Sequence, residues 1–152
     1  MHSAPMPALS VTIRPCEEND LSAVYAIELD SSASPWSFRS LSVELSYPFS
    51  RMYVAEHRGE IVGFSASWNI IDEIQLNNIA VKAPYRRRGI ATALLNHLTQ
   101  DHEGERLLRV ILEVRAKNTS ARKFYRSLGF RETGERKNYY GDDDAILMER
   151  EL

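Results

Sequence analysis

Seven stretches of the chain either alternate apolar with polar residues or form short apolar runs rich in Val, Ile and Leu. Both patterns are typical of β-strands. The predicted strands cover residues 9–14, 51–56, 61–71, 74–81, 107–114, 130–136 and 145–151. A tight turn at 58–60 between the second and third predicts a hairpin.

Four other stretches repeat apolar residues every three or four positions, which predicts amphipathic helices. The first follows a capping residue at Asn19 or Asp20, and the second covers 38–45. The third begins at Ile90, and the fourth begins at Thr119 or Ser120 and ends before Gly129. The order β-α-α-β-β-β-α-β-α-β-β predicts a mixed α/β (α+β) protein in which helices cover the faces of one sheet.

Composition narrows the class of protein. The chain has 152 residues, of which 43% are hydrophobic and 26% charged, as expected for one soluble domain over 9–152 after a flexible leader at 1–8. A net charge of -2 argues against a general nucleic-acid binder, and we find neither a signal peptide nor a membrane span. The single cysteine, Cys16, excludes an internal disulfide and a cysteine-based zinc site, and it suits the cytoplasm. No metal is expected.

The run Arg86-Arg87-Arg88-Gly89-Ile90-Ala91 lies between a predicted strand and a predicted helix. Glycine allows a close backbone approach, and a helix N-terminus attracts anions, so this run is a candidate phosphate site. Taken alone, the run is equally consistent with a basic loop that caps a helix.

Four motifs in order resemble the GCN5-related N-acetyltransferases (GNAT) over nearly the whole chain. They are Asn78-Ile79-Ala80-Val81, Arg86-x-x-Gly89-x-Ala91, Leu112-Glu113-Val114-Arg115-Ala116-x-Asn118 and Phe124-Tyr125-x-x-Leu128-Gly129-Phe130. Within this family, Pro35-Trp36-Ser37 and Asn138-Tyr139-Tyr140 are similar to the bacterial ribosomal-protein alanine N-acetyltransferases of the RimI type. Members of that group acetylate the N-terminal amine of a small-subunit ribosomal protein.

The resemblance implies the GNAT fold, in which two parallel strands of a mostly antiparallel sheet splay apart and hold acetyl-CoA. The phosphate run would bind the pyrophosphate, and the exposed strand edge would bind the peptide-like pantetheine arm. The implied cofactor-binding residues are Ile79, Ala80, Val81, Arg86, Arg87, Arg88, Gly89, Ile90, Ala91, Thr92 and Asn118. Asn118 could instead, or also, cap the following helix.

The same resemblance implies that Glu113 is the general base and Tyr125 the general acid. Glu113 could instead form an ion pair with Arg115 or another surface cation. Tyr125 lies on a core-facing helical stripe, where an amphipathic tyrosine is common. Cys16 has no nearby histidine in the sequence, which favours direct transfer over an acyl-cysteine route.

For the acceptor, the resemblance suggests substrate-binding roles for Trp36, Glu73 and Tyr139. Trp36 could equally belong to the core, and Glu73 could be a solvated residue at the start of a strand. The acidic triplet Asp142-Asp143-Asp144 could attract a basic peptide or simply form a hydrated turn.

The leading hypothesis is therefore an Nα-acetyltransferase that acts on a protein N-terminus. The first alternative is an acetyltransferase for a small free amine, such as a polyamine, an amino acid or an antibiotic. The second is a CoA-binding module without catalysis. A third interprets the arginine run as a nucleic-acid contact.

Overall fold

One seven-stranded sheet organises the computed structural model, which describes residues 7–100 and 106–152. The strand order is β1-β2-β3-β4-β5-β7-β6, and every neighbouring pair is antiparallel except the parallel β4 and β5. The strands are β1 (Thr12–Pro15), β2 (Ser50–His57), β3 (Glu60–Ile70), β4 (Glu73–Val81), β5 (Arg109–Arg115), β6 (Arg131–Arg136) and β7 (Ala145–Glu151). The predicted mixed sheet is confirmed.

Helices cover both faces of this sheet. They are α1 (Leu21–Ser31), α2 (Phe38–Ser46), α3 (Ile90–Gln100) and α4 (Thr119–Ser127). Met52 and Val54 of β2 pack with α1 and α2, whereas their neighbours Tyr53 and Ala55 pack in the cluster that contains α3. Since successive strand residues point to opposite faces, the two helix pairs enclose two separate cores. No helix in the described parts of the chain is long and apolar enough to cross a membrane.

The first strand begins later than predicted, at Thr12 instead of residue 9. Leu9 donates its N–H to the carbonyl of Arg88 (2.9 Å), so it contacts the arginine run instead of the sheet. Of the predicted leader, residues 1–6 lie outside the described residues. Pro7 contacts the same run, because its carbonyl accepts a hydrogen bond from Arg88 Nε (3.4 Å).

Asp20 occupies the N-cap position of α1, as predicted, but its carboxylate makes other contacts. It accepts two hydrogen bonds from Arg14 (2.8 and 2.9 Å) and one from the N–H of Glu17 (2.8 Å). These bonds hold the pKa of Asp20 below its usual range, chiefly through Arg14. Asp20 therefore ties β1 to the start of α1.

The sheet opens between β4 and β5. Their parallel pairing joins only Glu73–Gln75 to Arg109–Ile111, after which β4 continues along β3 and β5 continues along β7. The register between β3 and β4 shifts at this point, so that Asn77 is an extra residue in β4. Such a bulge bends a strand, which helps β4 to diverge from β5.

Candidate active site

Three cavities lie along the gap between β4 and β5. The phosphate-loop cavity (about 550 Å³) lies between β4, α3 and α4. The central cavity (about 730 Å³) lies between the gap and the loop after α1, and the outer cavity (about 530 Å³) lies over β5, β6 and β7. Ile79 and Ala80 line the first two, while Asn77, Glu113 and Tyr140 line the last two. The shared walls place the cavities in one series through the sheet.

The loop before α3 has the shape expected of an anion site. Arg87 (φ +61°) and Gly89 (φ +83°) both adopt the left-handed conformation, which glycine adopts freely and arginine rarely does. Successive turns of this kind can direct several backbone N–H groups into one concavity, and the N-terminus of α3 adds its dipole. The structure brings most of the predicted cofactor residues to the phosphate-loop cavity: Ile79, Ala80, Val81, Arg86, Arg87, Gly89, Ile90, Ala91 and Thr92.

The three arginines do different things. Arg86 donates to the carbonyl of Val81 (2.9 Å) and to Ser31 Oγ (3.2 Å), so it fastens the loop to β4 and α1. Arg88 is directed toward Pro7 and lies outside the residues that line the cavity, whereas Arg87 lines it. Arg87 is therefore the arginine of this loop that lines the cavity and makes none of the hydrogen bonds just described.

Both predicted catalytic residues line the central cavity. Glu113 comes from β5 and is one of the three residues that line both the central and the outer cavity. Its side chain is 30% exposed, and Oε1 lies 3.6 Å from Arg136 Nη1. Of the predicted ion-pair alternatives, the pair with another surface cation is the one that forms, since Arg136 faces Glu113 whereas Arg115 binds Asp142 (2.7 Å).

Tyr125 lies on α4 among aromatic rings. The ring of Phe130 is 5.6 Å away and that of Phe124 is 5.3 Å away, between centroids. Burial raises the pKa of Tyr125 to about 12, so the phenol keeps its proton at neutral pH. Tyr125 also packs against the core, so the two interpretations of this residue coexist.

Asn118 has the capping role that the sequence allowed. Its Oδ1 accepts the N–H of Ala121 (3.1 Å) at the start of α4, and the residue also lines the central cavity. A role toward the cofactor is therefore geometrically compatible with the cap.

The three residues predicted to bind the acceptor lie in different parts of the structure. Trp36 lines the central cavity and also packs against the core of α1 and α2, while Tyr139 lines the outer cavity and is 49% exposed. Glu73 lies where β4 and β5 are still paired, and it faces Arg109 (3.5 Å). Glu73 lines none of the three cavities.

The acidic triplet Asp142-Asp143-Asp144 mainly stabilises the loop in which it lies. Asp142 pairs with Arg115, Asp143 accepts the N–H of Lys117 (3.0 Å), and Asp144 accepts the N–H of Asn138 (2.7 Å). Arg115 lowers the pKa of Asp142, and the Asn138 N–H lowers that of Asp144. These bonds position the loop that carries the two tyrosines.

Sequence reasoning missed several residues of the site. Glu28 of α1 is 2% exposed and lines the central cavity, as does Tyr140, over which Arg115 lies at 4.3 Å from the ring centroid. Glu28 continues the apolar stripe of Leu21 and Val24 at positions i, i+3 and i+7. A carboxylate on a buried stripe is a signal that the sequence contained.

Cys16 and the arrangement of possible metal ligands bear on the other predictions. Burial raises the pKa of Cys16 to about 12, which keeps its thiol protonated under α1 and α2. Within 7–100 and 106–152 no three His, Cys, Asp or Glu side chains are grouped to hold a metal ion.

Comparisons with known proteins agree with this geometry. Residues 21–130 match the Acetyltransferase (GNAT) family. The chain is 38% identical over 141 residues to the ribosomal protein bS18-alanine N-acetyltransferase of Escherichia coli, covering 90% of this chain and 95% of that protein.

Two solved structures have the same fold. The crystal structure of the ribosomal-protein-S18-alanine N-acetyltransferase from Escherichia coli gives a TM-score of 0.84 at 36% identity and covers 94% of each chain. That of Ard1 from Thermoplasma volcanium gives 0.84 at 30% identity and covers 95% of this chain and 99% of that one. The chain therefore belongs to the GNAT family and is an acetyl-CoA-dependent N-acetyltransferase.

Proposed function

We propose that this enzyme acetylates the α-amine at the N-terminus of a protein by direct transfer in a ternary complex. The observation that carries the proposal is the series of three cavities through the gap between β4 and β5. Such a series allows the acetyl donor to enter from one face and an extended polypeptide from the other. Glu113 lies at the junction of the central and outer cavities, where the two would meet.

The donor half of the site would use mainly backbone groups. The loop 86–92 and the first turn of α3 would bind the pyrophosphate of acetyl-CoA, assisted by the side chain of Arg87. The edge of β4 beyond its pairing with β5 would hydrogen-bond the pantetheine arm at Ile79–Val81. Amides of the same strand would polarise the thioester carbonyl.

The chemistry would need one base and one acid. Acetyl-CoA supplies a thioester whose C–S bond breaks as the acceptor nitrogen forms its C–N bond. An α-amine has a pKa of about 8 and is partly protonated at pH 7. Glu113 would take up the proton of the ammonium form, release it to solvent, and then take up the proton that the nitrogen sheds after attack, in each case directly or through one water. Tyr125, whose phenol stays protonated at neutral pH, would give a proton to the departing sulfur.

The outer cavity favours a polypeptide over a small amine. Two of its walls are about half exposed: Tyr139 is 49% exposed, and the side chain of Arg136 is 54% exposed. An open groove leaves room for residues that follow the acceptor amine, whereas a small amine needs enclosure on most sides. The two Escherichia coli matches are named as alanine N-acetyltransferases of ribosomal protein bS18 or S18. We propose the same acceptor class here, encountered in the cytoplasm.

The test compares acceptors directly. Acetyl-CoA turnover is measured with synthetic peptides that have free N-termini, including one that begins Ala-Arg, and with a set of polyamines, amino acids and aminoglycosides. We expect peptides to be preferred. Robust turnover of a small amine with none of any peptide would reject the proposed acceptor.

The base is tested by Glu113→Gln, which keeps size and polarity but cannot take up a proton. We expect kcat/KM to fall about 100-fold or more, because general bases contribute about 10²–10⁴ in rate. The matched control is Glu135→Gln on β6, a similarly ion-paired carboxylate (3.0 Å from Lys137) that lines none of the three cavities. Equal activity of the two variants, with acetyl-CoA bound normally, would show that Glu113 is not the base.

A further inference from the structure

Glu28 is a buried carboxylate that the chemistry above does not use. It lies near the end of α1, is 2% exposed and lines the central cavity. Burying a carboxylate is costly unless both of its oxygens are hydrogen-bonded. A residue of this kind needs a structural or functional reason.

Both oxygens of Glu28 have partners, and these lie on different elements. Oε2 accepts the backbone N–H of Trp36 (2.9 Å) in the loop between α1 and α2. Oε1 accepts the side-chain amide of Asn78 (3.0 Å) on β4. One carboxylate therefore joins α1, the loop that carries Trp36, and β4 directly after its bulge.

The position of this junction matters for the reaction. Trp36 is a wall of the central cavity, and Asn78 is followed by the strand edge Ile79–Val81 that we assign to the cofactor. Hydrogen bonds are directional and have a narrow range of lengths, so these two bonds fix the distance between the two walls better than apolar packing does.

We propose that Glu28 is a positioning residue for the acceptor amine. It acts through Trp36 and Asn78, which it holds at a set distance across the central cavity. This inference rests on the proposed function, since it assumes that the acceptor amine enters that cavity. It predicts that loss of Glu28 weakens acceptor use more than donor binding.

The main test is Glu28→Ala, which removes both hydrogen bonds. We expect KM for the preferred acceptor to rise about tenfold or more, while the acetyl-CoA Kd measured by calorimetry stays within about twofold. A general loss of structure would instead weaken both, so the split separates positioning from folding. Thermal unfolding of each variant reports its stability.

Glu28→Gln is the rescue variant. The introduced oxygen can accept from Trp36, and the Asn78 amide can rotate so that its own oxygen accepts from the introduced NH₂ group. We expect acceptor KM within about threefold of the parent enzyme. A Glu28→Gln variant as impaired as Glu28→Ala would show that the negative charge itself is required, which would overturn the positioning role.

Asn78→Ala keeps the test decisive if Glu28→Ala does not fold. It removes one of the two bonds and leaves the carboxylate bonded to Trp36, so we expect a rise of about three- to fivefold in acceptor KM. Unchanged acceptor KM in every folded variant would overturn the inference.

Failure of the proposed function has a different signature. If the parent enzyme turns over no peptide but acetylates a small amine, the acceptor class is wrong. The Glu28 variants are then compared on that amine, and the inference still stands or falls on its KM.

Discussion

Tyr125, the proposed general acid, shows how burial changes the acidity of a side chain. Its pKa, raised to about 12 by removal from water, leaves essentially all of the phenol protonated between pH 6 and 10. A thiol has an ordinary pKa of about 8.5, so a thiolate in water is a weaker base than this phenolate. If Tyr125 is the proposed acid, its proton can move to the departing sulfur only where burial also raises the proton affinity of that thiolate.

This residue predicts the shape of the pH profile. We expect kcat/KM to rise with pH as the acceptor α-amine loses its proton near about pH 8, and then to stay level to at least pH 10. The fall caused by ionisation of Tyr125 belongs near pH 12, because a raised pKa extends the protonated range upward. Steady-state rates from pH 6 to 10.5 check this, and a fall that begins below pH 9.5 in the enzyme but not in Tyr125→Phe would contradict it.

Tyr125→Phe itself should lower kcat by about 100-fold, within the range known for general acids, because the ring is kept and only the proton donor is lost. Tyr25→Phe is the matched control, since Tyr25 of α1 packs its ring against Phe38 (5.8 Å) and lines none of the three cavities. Acetyl-CoA binding measured by calorimetry should be unchanged in both. A Tyr125→Phe enzyme with parental kcat would remove this residue from the mechanism.

At the scale of elements, the hairpin between β3 and β4 has a β-branched residue in an unfavourable backbone conformation. Ile71 has φ +56° and is 92% exposed. A left-handed conformation costs an ordinary L-residue about 1–2 kcal/mol, and a branched Cβ fits it badly. Because the side chain is almost fully exposed, packing offsets little of this free-energy cost.

Ile71→Gly is therefore expected to stabilise the protein. Relief of the backbone strain outweighs the entropy of a more flexible unfolded chain, with a net gain of about 0.5–1 kcal/mol. For a chain of this size that is a rise of about 1–4 °C in Tm, measured by calorimetry or circular dichroism. Ile70→Gly, in the adjacent strand, is the control and should lower Tm. A lower Tm for Ile71→Gly would show that its side chain makes a contact worth more than the strain.

The sequence was a good guide to these elements because their patterns are local. All eleven predicted helices and strands occur in the predicted order. The differences arise where a distant contact decides: Leu9 bonds to Arg88 instead of β2, and Leu108 bonds to Asp72 (2.7 Å) ahead of β5. Periodicity contains no information about such partners.

The same distinction between local patterns and distant contacts applies to the candidate site. The loop 86–92 could be predicted because glycine, arginine and a helix start are adjacent in the sequence. The bulge at Asn77 and the place of β7 between β5 and β6 depend on pairing between strands far apart in the chain. Glu28 was missed because its partners, Trp36 and Asn78, are 8 and 50 residues away.

For the whole molecule, the gap divides the sheet into two halves. The first comprises β1 to β4 and the second β5, β7 and β6, and the parallel pairing between them spans only three residue pairs. The phosphate-loop cavity has walls from both halves, namely β4 and α3 from the first, and Ser120 and Phe124 of α4 from the second. A ligand bound there would bridge the two halves.

Acetyl-CoA should therefore stabilise the whole molecule. At 100 times its Kd, a ligand that binds only the folded state adds about 2.7 kcal/mol, which is about 5–10 °C in Tm. Gly89→Ala should lose most of this shift, because alanine is strained at φ +83° and the loop must change shape. Glu113→Gln, which leaves the phosphate loop intact, should keep the shift.

Hydrogen exchange provides the sharper measurement. On addition of acetyl-CoA, we expect slower amide exchange on both sides of the gap. One region comprises 87–92 together with Ile79–Val81 of β4, and the other is the start of α4. Amides of β1 should be slowed only as far as global stability rises, since that strand is separated from the gap by β2, β3 and β4. Protection confined to 87–92, with α4 unchanged, would mean that the ligand binds one half alone and does not enter the gap.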